Sequence, residues 1–142
     1  AYMTQSPDDA LPGTVPDHAL DGSLRAEEWR WLAGMTWNAT DEQLFPDGAT
    51  FTIDAYRNGY FWGDGNTASG SSLRMAGSVT PEGSLYLLFS VADADAVARR
   101  GALEMFDGAY RMVWAEPSGG PALGGATLAP GRRAISTDAA TR

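Results

Sequence analysis

From Met35 to Leu128 apolar and polar residues alternate along the chain, and short glycine-containing turns break the alternation. A helix would repeat its apolar positions about every 3.6 residues, so this pattern restricts the middle of the chain to antiparallel strands joined by hairpins. A strand is expected at Met35–Thr40, followed by the turn-rich run Phe45-Pro46-Asp47-Gly48. Phe51, Ile53 and Ala55 then alternate with Thr52, Asp54 and Tyr56, as in a strand with one buried face. Asn58-Gly59 supplies a tight turn that returns the chain as Tyr60-Phe61-Trp62. Leu73, Met75, Gly77 and Val79 form the next apolar set, and Pro81-Glu82-Gly83 turns into Leu85, Leu87, Phe89 and Val91. After a connection at Asp93–Arg99, Leu103 and Met105 lead to Asp107-Gly108, then to Tyr110, Met112 and Trp114. A break at Pro117-Ser118-Gly119-Gly120 precedes a last short strand within Ala122–Leu128. About eight strands joined in this way make an all-β, up-and-down barrel or a curved meander, and closure would remove the exposed edges.

The flanks read differently. Ser23 suits a helix N-cap, with Glu27 and Glu28 in the first turns, so one short helix is expected at Leu24–Leu32 and Gly34 stops it. Residues 1–23 form an extended acidic arm with Pro7, Pro12 and Pro16 and no arginine. Residues 24–128 hold the helix and the β domain, and residues 129–142 form an extended basic tail carrying Arg132, Arg133 and Arg142. Neither flank has an apolar period. Ala1 with Met3 close behind fits either removal of a leader or an appended Ala1–Tyr2, and an extracytoplasmic setting, periplasmic or secreted, is slightly favoured.

Composition removes several function classes. The 142 residues include no cysteine and one histidine, His18 in the arm. There is therefore no disulfide framework, thiolate nucleophile or cysteine metal site, and no site built of several histidines. All ten basic residues are arginine, which excludes Schiff-base lysines. The net charge of −8 argues against nucleic acid as a partner, because phosphate neutralisation dominates that affinity. No apolar run approaches the roughly 20 residues of a membrane-spanning helix.

A short helix followed by Gly34-Met35-Thr36-Trp37 at the head of a hairpin meander resembles the calycin group, the lipocalin and avidin barrels. In lipocalins a Gly-x-Trp motif on the first strand places a tryptophan at the bottom of the barrel, whereas here two residues separate Gly34 from Trp37. The resemblance implies a small closed barrel with a binding role, and transfers no ligand-binding residue.

The aromatic residues are the richest candidate material. Trp37, Tyr60, Trp62, Phe89, Tyr110 and Trp114 would fill a small barrel as its core or line a cavity for one small apolar ligand. The strand Leu85–Val91 is apolar on both faces, which assigns Tyr86 and Leu88 to contact with a partner or a covering segment. Asp54, Arg74, Glu104 and Arg111 interrupt apolar alternations and are expected to point outward as cross-strand pairs. An inward Asp54 or Glu104, with Tyr60 or Tyr110 as proton donor, would suit general acid–base chemistry. Asp93-x-Asp95 with Glu104 lacks the ligand and glycine of a calcium loop at Val97 and Ala98, and Asp64-x-Asn66 fits worse, so no metal site and no cofactor are expected. Asn38-Ala39-Thr40 matches a glycosylation acceptor only by its tripeptide. These readings favour a non-enzymatic binding or accessory domain that holds a small apolar ligand or clasps a protein partner, with protein contact or self-association expected. The alternative is a cofactor-independent cyclase or isomerase acting on an apolar substrate.

Overall fold

A computed structural model of the chain describes residues 25–129. The expected arm and most of the expected tail lie outside those residues. Within them, eight strands close into one antiparallel barrel in sequence order: β1 (Thr36–Asp41), β2 (Phe45–Arg57), β3 (Tyr60–Thr67), β4 (Ser72–Val79), β5 (Ser84–Val91), β6 (Val97–Phe106), β7 (Ala109–Ala115) and β8 (Gly124–Leu128). β1 pairs with β8 from Trp37↔Leu128 to Asp41↔Gly124, so no edge remains. This is the architecture that the calycin resemblance implies. No helix among the described residues is long and apolar enough to cross a membrane.

The turns follow local chemistry. Asn58, Gly59, Asp107 and Gly108 all adopt positive φ, as the two-residue hairpins β2–β3 and β6–β7 require. Four expectations need correction. The β2 bulge between Ile53 and Ala55 reverses the alternation, so Tyr56 joins the core and Ala55 faces outward. The helix is a 3-10 helix over Arg25–Leu32, in line with its poor amphipathic period. Phe45–Gly48 is not a turn but the start of β2: the reversal falls earlier, where the Asp41 carboxylate accepts the backbone N–H groups of Gln43 and Leu44 at 2.9 and 3.0 Å. The Asp93–Arg99 connection is shorter than expected, because β6 begins at Val97 and Arg99 lies within it.

The two faces of the wall then separate. Trp37, Phe51, Ile53, Phe61, Leu73, Met75, Leu87, Phe89, Met112 and Trp114 point inward and are fully buried. Phe89 on β5 meets Phe45 and Phe51 on β2 at 5.5 and 6.2 Å and Trp114 on β7 at 5.1 Å, ring centroid to centroid. None of these strands neighbours β5, so the contacts cross the lumen. Glycines face the largest rings across the ladder: Gly65 pairs with Phe51, and Gly101 with Trp114. A Cβ at Gly101 would collide with the Val113 carbonyl oxygen, so the close approach of β6 to β7 depends on glycine there.

Each end is closed by different chemistry. At the end holding the β2–β3, β4–β5 and β6–β7 turns, Leu32 and Trp29 from the 3-10 helix join the core. The Trp29 indole donates to the Thr80 carbonyl at 2.9 Å, and Trp29, Trp31 and Tyr110 stack within 5.0–6.2 Å of one another. The opposite end carries a buried charge pair.

Candidate functional site

The buried charge pair was not singled out by the sequence. Asp41 ends β1 and is fully buried, and Arg99 on β6 is 2% exposed. Arg99 donates through Nε to Asp41 Oδ2 at 2.9 Å and through Nη2 to Oδ1 at 3.3 Å. Its remaining donors reach Gln43 Oε1 at 2.9 Å and the Ala98 carbonyl at 3.0 Å. Trp114 Nε1 gives Asp41 Oδ2 a further bond at 2.8 Å. Burial by itself pushes the Asp41 carboxyl up, but the bonds from Arg99, the Gln43 N–H, Trp114 and the Leu44 N–H together hold it below the ordinary value of 3.8. Every oxygen of the pair is engaged within the chain, so the cluster ties β1, β6 and β7 together and has no vacant position for a reacting group. The available signal was phase: Arg99 falls in step with Val97, Gly101 and Leu103 on the inner face.

The six aromatic candidates do not converge. Trp37, Phe89 and Trp114 lie inside the barrel, Tyr110 belongs to the plug, and Tyr60 and Trp62 sit on the outer wall. The Trp37 indole N–H is buried with no acceptor, while that of Trp114 is committed to Asp41. Asp54, at the β2 bulge, is exposed, and desolvation followed by repulsion from Asp64 raises its pKa. Glu104 pairs in register with Arg111, whose Nε and Nη2 approach Glu104 Oε2 at 2.8 and 2.7 Å. Arg74 lies opposite Asp64 across β3 and β4. The charged strand residues thus occupy the outer face, as expected, and Glu104 is far along β6 from the Asp93–Asp95 turn. Among the described residues no group of three or more His, Asp or Glu side chains could hold a metal ion.

Two features remain on the exterior. The first is a row of outward side chains aligned across six strands by register: Asn66, Thr50, Asn38, Thr127, Arg111 and Glu104. The first five line a shallow groove of about 760 Å³, in which Thr50 donates to Asn38 Oδ1 at 3.2 Å. The row runs into the β6–β7 tip, where Met105 and Phe106 are 58% and 54% exposed. Arg111 stacks its guanidinium 3.6 Å from the Phe106 ring centroid while Glu104 holds the same guanidinium from the side.

The second feature is an apolar cluster on the outer wall of β2 to β6. Ala55, Trp62, Ala76, Leu88 and Ala98 lie side by side in register, with Tyr60 and Tyr86 in the adjacent row and Arg100 over the Tyr86 ring at 5.7 Å. Tyr86 and Leu88 do face outward, yet Leu88 is only 5% exposed. Compared with known proteins, the chain matches no family model, and no curated protein or solved structure is significantly similar to it.

Proposed function

We propose that the chain is a non-enzymatic accessory domain that docks a protein partner through the β6–β7 tip and the groove beside it. The observation that carries this reading is the Phe106 ring, more than half exposed and already stacked by an arginine that Glu104 fixes. Aromatic residues, methionine and arginine are the side chains enriched in protein interfaces, and a fixed stack loses little further freedom on binding. Arg111 belongs to the stack and also lines the groove, so an apolar anchor continues into a row of uncharged hydrogen-bonding groups. An interface with a dry anchor and a polar surround needs that combination.

Other readings have less support. A small apolar ligand in the lumen would compete with side chains that already meet across the axis. The cyclase or isomerase alternative needs Asp54 or Glu104 inside, and both face outward. The calycin-like shape suits a binding role without fixing where binding occurs. A photo-crosslinking phenylalanine analogue at position 106, introduced in cells that produce the protein, tests the proposal. One protein adduct of defined mass, weakened by Arg111→Ala and missing when the analogue is moved to Asp95, is the expected result. Equal labelling from both positions would overturn it.

A further inference from the structure

The outer wall of β3–β5 carries a continuous apolar row with no second layer of described strands over it. Trp62 is 6% and Leu88 5% exposed, and Ala76 and Ser78 are fully buried, although all four point away from the core. Ala55, Ala98 and the half-buried Tyr60 and Tyr86 are among the apolar side chains packed around them on this face.

We propose that residues 1–23 of the same chain dock on this wall as an extended, proline-rich segment. Three facts select that segment over residues 130–142. First, it carries large apolar side chains, Leu11, Val15 and Leu20, whereas the only one after Pro130 is Ile135. Second, Pro7, Pro12 and Pro16 favour the left-handed extended conformation that binds to aromatic surfaces, and Tyr60, Trp62 and Tyr86 form such a surface. Third, the arm contains Asp8, Asp9, Asp17 and Asp21 and no arginine or lysine, while the wall is flanked by Arg57, Arg74 and Arg100 against Asp54 and Asp64. Residues 130–142, with Arg132, Arg133 and Arg142 against Asp138, have the wrong sign. Reach is no obstacle: the 3-10 helix that follows the arm lies at the plug end, where Trp29 bonds Thr80 at the β4–β5 turn, and an extended chain advances about 3.3 Å per residue. This wall is separate from the β6–β7 tip, so the inference does not depend on the proposed partner.

The absence of cysteine makes the test direct. In the full-length chain, Ala10→Cys accepts a single nitroxide label, and relaxation of backbone amides is read by NMR. The amides of Trp62, Ala76 and Leu88 should lose most of their intensity, while those of Asn38 and Thr127 on the opposite wall keep theirs. Changing Pro7, Pro12 and Pro16 together to glycine should restore the lost intensity. Broadening on the Asn38 wall, or nowhere, overturns the proposal. So does broadening that appears only when labelled chains are mixed with unlabelled isotopic ones, since the occupant would then be a second copy.

Discussion

Replacing Arg99 with methionine asks what the buried charge pair contributes. The substitution preserves an unbranched side chain of similar length and removes two of the five hydrogen bonds that Asp41 accepts; those from Trp114, Gln43 and Leu44 stay. An uncompensated carboxylate remains in a site with no solvent exposure. Breaking a buried pair on one side costs about 3–5 kcal/mol, and the three surviving donors place this case near 3. For a domain of this size that is a fall in Tm of roughly 10 °C. Adding Asp41→Asn removes the stranded charge, so the double variant should recover part of the loss and be more stable than Arg99→Met alone. Urea unfolding followed by circular dichroism, on both single variants and the double, gives the coupling energy. The acid limb supplies a second check. Because the folded Asp41 carboxyl sits below its unfolded value of 3.8, its contribution is complete above that value and is lost as pH falls through the folded pKa. The double variant should lack that component. A cost for Arg99→Met below about 1 kcal/mol, or strict additivity of the two changes, would refute this account of the pair.

Trp37→Phe and Trp114→Phe delete the same atoms from fully buried sites, but only the second removes a hydrogen bond to a carboxylate, while the first relieves an unpartnered donor; denaturant midpoints should show Trp114→Phe costlier by about 2 kcal/mol or more. Gly101→Ala should cost at least about 3 kcal/mol, because its Cβ meets the Val113 carbonyl, whereas Gly108→Ala meets open space and pays only about 1–2 kcal/mol for its positive φ. Desolvation, then Asp64, raises the Asp54 pKa, so ionisation of Asp54 disfavours the folded state as pH rises through that value. Asp54→Asn should therefore raise Tm at pH 7 and leave it unchanged in acid below the ordinary carboxylate range. A drop in Tm at pH 7 would contradict that sign.

Much of the barrel could be read before any coordinates. Asn58-Gly59 and Asp107-Gly108 demand positive φ and adopt it, and the alternations Leu73–Val79 and Leu85–Val91 became inner faces, whereas the bulge in β2 turned Ala55 outward and Tyr56 inward. Further errors lie at the charged end. Pro46-Asp47-Gly48 has the composition of a turn, yet the reversal is made by the Asp41 side chain, which local composition cannot announce. Arg99 looked like connector because a guanidinium is a poor guess for an inner position. Its partner lies 58 residues away in sequence, and no short window contains both. The Phe106 tip was equally obscure: a strand-end phenylalanine reads as core until the arginine across the hairpin is seen to cover its face rather than the lumen.

The closure of β8 onto β1 has a consequence for synthesis. Thr36–Asp41 leaves the ribosome early, and its second neighbour, Gly124–Leu128, is among the last described residues to emerge. Until then the nascent sheet has an open edge along β1, because the other pairings join neighbours in sequence and the long-range β1–β8 pairing that closes the barrel can form only at the end. Asp41 lies on that waiting strand and is neutralised only when β6 and β7 have arrived. A chain halted before β6 keeps a hydrated carboxylate where the barrel mouth will form, and that charge opposes premature pairing with a neighbouring polypeptide.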